Sequence, residues 1–176
     1  MEVGVVTMEV GVMDWSEDRS EDRILAEELA ALSATGGASG GLVRMVAKVM
    51  RKNVHEVDLL VPLPFEDALR HVSEVLGRVG RVVPVGSGES ETEGEREGES
   101  QGEGRATVRV VTGGGVGGLN PVVVTARVLS GAEAGTEVWL RAAAKEGLIR
   151  QRAGERTAVS VAALLNGTAG GGKGER

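Results

Sequence analysis

The chain has 176 residues, a formal net charge of −6 and 41% hydrophobic residues, which fits one folded domain with extensions. It contains no cysteine, so disulfides, thiolate catalysis and cysteine-ligated metal sites are excluded. Aromatic residues make up only 2%, which predicts a core of valine, leucine and alanine. No apolar run approaches the ~18 residues that span a bilayer, and the N-terminus lacks the pattern of a signal peptide. We therefore expect a cytoplasmic protein.

Charge divides the chain into acidic and basic parts. Residues 1–41 contain nine acidic and two basic residues, and residues 86–104 contain seven acidic residues and one basic residue. The remaining positions hold 17 basic and ten acidic side chains. This partition predicts a basic folded part whose acidic appendages are able to cover its basic surface.

The first segment, residues 1–41, is expected to be a mostly disordered, acidic extension of low complexity. Within it, Ser20 is placed to cap a helix through Glu21–Ala34, in which the apolar residues form a weak stripe. The extension thus has one helical candidate but little apolar material for a core.

The next segment, residues 42–52, is a basic amphipathic lead-in. Packing of its apolar side on the domain is the favoured interpretation, and contact with a membrane surface is the alternative. Because clear strand and helix patterns begin only at residue 53, Met45 and Met50 are alternatives to Met1 as the native start.

Residues 53–166 are predicted to form a single α+β domain. Strand alternation or helical spacing is found in turn at residues 53–61, 64–80, 81–85, 106–112, 120–129, 136–144 and 149–166. This β-α-β-β-β-β-α order predicts an antiparallel sheet of about five strands with two helices on one face. Residues 86–104 contain no large apolar side chain to bury, and the tail 167–176 is rich in glycine. Both segments are therefore expected to be disordered.

Small residues are predicted to bring the final helix close to the sheet. Gly154 and Ala158 share its apolar stripe, and Ala142 and Ala144 lie on one face of the preceding strand. Facing pairs of small residues allow a short distance between helix and strand.

Two motifs are rejected as sites. The run Gly113–Gly118 matches G-x-G-x-x-G but leads into a strand, whereas a dinucleotide site requires the motif to open a helix. His55 and His71 are two scattered histidines without an obvious set of carboxylates, so they are not predicted to form a metal site. No catalytic residue, cofactor or metal site is predicted.

Basic residues gather where the last strand meets the last helix. Lys145, Arg150, Arg152 and Arg156 are candidates for anion binding, with help from the free N–H groups of the helix start. The alternative is that these residues pair with nearby glutamates on a solvated surface. Nucleic acid is not favoured as a partner, because Trp139 is the only aromatic candidate for base stacking there.

Three stretches carry a resemblance to a known superfamily: VHEVDLLVPLPFEDALRHVSEVL, TEVWLRAAA and GERTAVSVAALL. Over residues 53–166 their order resembles the helix-grip (START/polyketide-cyclase-like) superfamily. The resemblance implies an antiparallel sheet around a long C-terminal helix, with an apolar ligand held between them. The pocket candidates are Val57, Leu59, Val138, Leu140 and Val161.

Three functional hypotheses follow. The first is a noncatalytic binding module for an apolar or amphipathic small ligand in the gap between sheet and helix. The second is a protein-interaction or homodimerisation module that uses the free sheet face around Trp139. The third is weak anion or nucleic-acid binding at Lys145–Arg156.

Overall fold

The computed structural model describes residues 15–35, 40–84, 104–114, 119–131, 135–147 and 151–169. This part of the chain contains four helices and five strands, and the α+β prediction is confirmed. The elements are α1 (Trp15–Thr35), α2 (Gly40–Val49), β1 (Arg51–Val61), α3 (Phe65–Val79), β2 (Arg81–Val82), β3 (Arg105–Gly114), β4 (Asn120–Leu129), β5 (Thr136–Glu146) and α4 (Ala153–Ala169).

The five strands form one antiparallel sheet in the order β1-β5-β4-β3-β2. Strands β2 to β5 follow one another as a meander, and β1 returns beside β5. Alternate residues of a strand point to opposite faces. We call the face that carries Val138, Leu140 and Ala142 the inner face, and the face that carries Arg141, Ala143 and Lys145 the outer face.

The inner face is covered by α3 and α4, so the prediction of two helices on one face is confirmed. The helices pack valine, leucine and alanine side chains on it, as the composition predicted. The fully or nearly buried residues from the helices are Ala68, Val72, Val75, Leu76, Ala153, Ala158, Val161, Ala162 and Leu165. His71 belongs to this packing, because its Nε2 lies 3.0 Å from the carbonyl oxygen of Leu165.

Helix α4 lies very close to the sheet at its first turn. A Cβ atom on Gly154 would lie 2.7 Å from the carbonyl oxygen of Asn53 and 3.0 Å from that of Ala142. These contacts are with backbone atoms, which cannot turn aside. Only glycine therefore fits at this position without a shift of the helix.

The outer face is covered in part by α1. Leu25 of α1 is fully buried and packs with Val111, Val123 and Ala143 of the sheet. Residues 15–35 thus form a docked helix, although we expected the segment 1–41 to be mostly disordered. The sheet face that we expected to be free is accordingly occupied over this region.

Several element bounds differ from the predicted ones. Strand β5 extends to Glu146, and α4 begins at Ala153 rather than at residue 149. Arg152 lies in the left-handed backbone region, with a φ of 51°, which a non-glycine residue rarely occupies. Helix α4 begins at the next residue. The structure does not describe residues 86–103 and 170–176, which we predicted to be disordered, or the loop 115–118. Residues 167–169 of the predicted tail belong to α4.

Candidate functional site

Two features of the described chain stand apart from the packed core. One is an ionic cluster between α1 and the outer face, formed by Glu21, Asp22, Lys52, Arg141 and Lys145. The other is the α2 stripe, which consists of Leu42, Met45, Val46 and Val49.

Glu21 is the centre of the ionic cluster. Its side chain is fully buried, with Oε2 3.0 Å from Lys52 Nζ and Oε1 accepting a hydrogen bond of 3.0 Å from Arg141 Nε. Lys52 and Arg141 lie on the neighbouring strands β1 and β5. The glutamate thus joins the helix to two strands at once.

Asp22 and Ser20 extend these polar contacts on either side. Asp22 Oδ1 lies 2.8 Å from Lys145 Nζ, a charge contact without the alignment of a hydrogen bond. Ser20 Oγ accepts a hydrogen bond of 2.9 Å from Arg109, which also donates to Thr125 Oγ1 at 2.9 Å. In these polar contacts, α1 presents oxygen atoms to the basic residues of the strands.

The environment of Arg141 favours its charged form. Burial opposes the charge, but hydrogen bonds and Coulomb attraction from Glu21 and Glu56 outweigh it and raise the pKa of the guanidinium. A raised pKa stabilises the folded state below the ordinary pKa of the group, and this contribution is lost only as the pH rises through the raised value. Arg141 therefore stays charged and paired throughout the neutral range.

The α2 stripe turns large apolar side chains towards solvent. Leu42, Met45, Val46 and Val49 are 62%, 68%, 47% and 84% exposed, and their spacing of i, i+3, i+4 and i+7 places them on one side of the helix. The helix packs on α1 instead through Ala47, which is fully buried. The most apolar side of α2 is thus directed away from the domain.

Basic side chains accompany this stripe. Arg44, Lys48 and Arg51 are exposed, and no acidic residue occurs between Gly40 and His55. Viewed down the helix at 100° per residue, Lys48 lies about 60° beyond Met45, whereas Arg44 lies about 100° beyond it and only about 60° from Ala47. Lys48 thus borders the stripe directly, and Arg44 lies on the flank of the helix.

The predicted anion site is not assembled as expected. Lys145 belongs to the ionic cluster, Arg150 lies outside the described residues, and Arg156 is exposed. Arg152 pairs with Glu155, and its backbone N–H donates a hydrogen bond of 2.6 Å to Glu146 Oε1. The carboxylate of Glu146 thus holds the place at this helix start that we predicted for an external anion.

The five pocket candidates come together in the core cluster. Val138, Leu140 and Val161 are at most 1% exposed, and Val57 and Leu59 are partly buried against them. All five side chains belong to the packed core cluster or lie against it. The ligand hypothesis stays a prediction.

Trp139 lies on the outer face, half buried, with the Arg127 guanidinium carbon 4.9 Å from its ring centroid. This geometry is that of a cation–π contact between adjacent strands. Trp139 therefore contacts a neighbouring strand of the sheet. The free part of the outer face is smaller than predicted, because α1 contacts Arg141, Ala143 and Lys145 of the same strand.

Sequence reasoning missed the ionic cluster, although each half of it had a signal. Arg141 and Lys145 occupy alternate positions of a strand whose other face is apolar, so they had to share the outer face. Glu21 and Asp22 stand in an acidic helix with few apolar residues. The charge partition indicated that such a segment meets a basic surface, but not which residues pair.

Comparison with family models, with curated proteins and with solved structures finds no match. The resemblance to the helix-grip superfamily accordingly stays a prediction. In the described parts of the chain, no helix is long and apolar enough to cross a bilayer. Those same parts hold no group of three or more His, Cys, Asp or Glu side chains arranged for a metal ion.

Proposed function

We propose that the chain is a noncatalytic interaction module that docks on an anionic membrane surface through α2. The observation that carries this proposal is the α2 stripe, in which four large apolar side chains are exposed on a helix that has a well-packed domain beside it. Contiguous exposed apolar surface of this kind is typical of protein or membrane interaction sites.

The apolar side of α2 supplies the attraction to the bilayer. Withdrawing a Val, Leu or Met side chain completely from water contributes about 1.5–3 kcal/mol. Since the four residues are already partly covered, the stripe supplies on the order of 5 kcal/mol before the cost of immobilisation. This is enough for reversible binding in the interface, and too little for permanent anchoring.

The exposed bases of this segment favour an anionic surface. Arg44, Lys48 and Arg51 have exposed side chains, and each base near an anionic leaflet contributes about 1 kcal/mol. Long basic side chains also extend along an apolar surface while their charged ends stay in water. Lys48 thus adds charge directly beside the apolar contact, and Arg44 and Arg51 add it at longer range.

A second copy of the chain fits this surface less well. Pairing two α2 stripes would bring the Lys48 side chains of both copies close together, with no acidic residue of α2 to offset them. Like charges at a close interface are destabilising. Charge complementarity therefore favours an anionic surface over self-association.

The direct test is vesicle flotation of the full chain. We expect binding to phosphatidylcholine vesicles that contain phosphatidylserine, and weaker binding to phosphatidylcholine alone. The double variant Met45→Glu/Val49→Glu should lower the apparent affinity by about 100-fold, because two anchoring side chains become charged. Arg44→Gln/Lys48→Gln should lower it by about 10-fold or more through the lost charges.

Matched controls come from other helices. Val159 and Leu164 on α4 are also exposed apolar residues, at 54% and 48%, so Val159→Glu/Leu164→Glu makes the same charge change elsewhere. Arg70 and Arg78 on α3 serve the same purpose for the basic pair. Equal losses in the α2 and control variants, or no binding to anionic vesicles, would contradict the proposal. Concentration-dependent dimerisation that Val49→Glu abolishes would assign the stripe to a second copy instead.

A further inference from the structure

We infer that the outer face of the sheet is a binding site for an acidic amphipathic helix, and that α1 is its resident, exchangeable ligand. The class of external ligand is a helix with two adjacent carboxylates followed by a leucine one turn later, the pattern of Glu21, Asp22 and Leu25. The ionic cluster, independent of the α2 stripe, carries this inference.

The basic part of the site is preformed by the strands. Lys52 on β1 and Arg141 and Lys145 on β5 lie in two adjacent strands with a fixed register, in which Lys52 is opposite Lys145. Side chains of like charge at such positions repel each other unless an anion lies between them. Glu21 and Asp22 provide that anion, at 3.0 Å from Lys52 and 2.8 Å from Lys145 respectively.

An apolar part of the site adjoins the bases. Val111, Val123 and Ala143 form a small patch on β3, β4 and β5, and Leu25 is fully buried against it. In a helix, residues four apart lie on the same side, so Glu21 and Leu25 reach the bases and the patch together. A nucleic acid has phosphates for the bases but no group that matches the leucine, so the geometry favours a helix.

The interface is of a kind that exchanges. Buried ion pairs contribute little net stability, because desolvation of both charges offsets their attraction. They nevertheless exclude partners that lack the matching charges. The interface is built on Glu21, Arg141 and Lys145 with one large leucine. We therefore expect it to give high specificity for its ligand but only modest affinity.

The rest of the fold does not depend on α1 staying in place. Helix α2 packs mainly on α1, and within the part of the chain that the structure describes the inner face is covered by α3 and α4. Helices α1 and α2 are therefore able to leave the outer face as one unit, with the connection to β1 at Met50. The core of the inner face would remain covered.

The test is binding of a labelled peptide of residues 15–35 to the full chain, followed by fluorescence anisotropy. In the wild-type chain the tethered α1 competes at high effective concentration. The variant Glu21→Gln/Asp22→Asn weakens the resident helix, so we expect the peptide to bind it about tenfold more tightly than the wild type. Binding should weaken as salt is added, and a peptide with the same two substitutions should not bind.

The control chain carries Glu27→Gln, which changes an exposed acid on the same helix and should bind like the wild type. Hydrogen exchange of β4 and β5 verifies that each chain keeps its sheet. If Glu21→Gln/Asp22→Asn disturbs the sheet, Glu28→Gln, which releases Arg81 at the other end of the interface, should give a smaller gain in peptide affinity.

Equal affinity of the peptide for all chains would overturn the inference. So would equal binding of the acidic and neutral peptides, or displacement of the peptide by single-stranded DNA as readily as by unlabelled peptide.

Discussion

The two faces of the sheet are covered by helices in opposite ways. On the inner face, α3 and α4 pack through aliphatic side chains, and α4 approaches the strands closely enough to require Gly154. On the outer face, α1 is held mainly by Glu21 and Asp22 against Lys52, Arg141 and Lys145. Among its residues 19–34, Leu25 is the one large apolar residue that is fully buried.

This difference separates stability from selectivity. Aliphatic burial contributes to the free energy of folding in proportion to the apolar area removed from water. Buried ion pairs add little to it but penalise any mismatched partner. We therefore expect substitutions on the inner face to lower the stability of the whole domain, and those on the outer face to loosen α1 together with α2, which packs on it.

The largest effect is expected at the centre of the inner face. Leu140→Ala removes a fully buried side chain and should lower the free energy of unfolding by about 2–5 kcal/mol, measured by urea denaturation. Leu164→Ala is the control, because Leu164 is on α4 but 48% exposed, and it should cost much less. If both variants had the same midpoint, the inner face would not be the main source of stability.

The next effect concerns the outer face. Glu21→Gln removes one carboxylate from Lys52 and Arg141, which keep Asp22 and Glu56 respectively, and a hydrogen bond to a charged group contributes about 1.5–3 kcal/mol. The amides of α1 should exchange about 10–100-fold faster, while those of β4 and β5 keep their protection. Glu27→Gln should leave both unchanged. Faster exchange throughout the sheet would show that the two faces are not separable.

The inner face was largely predictable from the sequence, and the reason is physical. Every second residue of β4 and β5 is aliphatic, so the pattern itself shows which side faces a core. The short connections from β3 to β5 predicted antiparallel neighbours, which the structure confirms. The close approach at Gly154 also followed from small residues on both partners.

The outer face was not predictable to the same degree. Arg141 and Lys145 have the pattern of solvated strand residues, yet both are buried and pair with carboxylates of α1. That contact joins residues about 120 positions apart in the chain, as in the pair Glu21–Arg141. Local spacing contains no information on such a pairing, and charge totals indicate only that an acidic segment and a basic surface belong together.

A smaller effect tests the close packing of α4. Gly154→Ala places a Cβ against the backbone of Asn53 and Ala142, so the loss from overpacking should exceed the gain in helix propensity. We expect a net loss of about 1–2 kcal/mol in the free energy of unfolding. A Cβ at Gly167 on the same helix would have no neighbouring atom within 4 Å, so Gly167→Ala should be neutral or stabilising. A stabilising Gly154→Ala would mean that α4 has room to move away from the sheet.

The smallest effect is expected at the edge of the outer face, where Arg81 of β2 pairs with Glu28 of α1. The Arg81 side chain is 63% exposed, and exposed ion pairs contribute about 0.2–1 kcal/mol because water screens them. Arg81→Gln should therefore raise α1 exchange only slightly, and added salt should remove even that difference. The buried pair at Glu21 should resist the same salt. An Arg81 variant as severe as Glu21→Gln would show that α1 is held by its total charge, rather than by the buried carboxylate between β1 and β5.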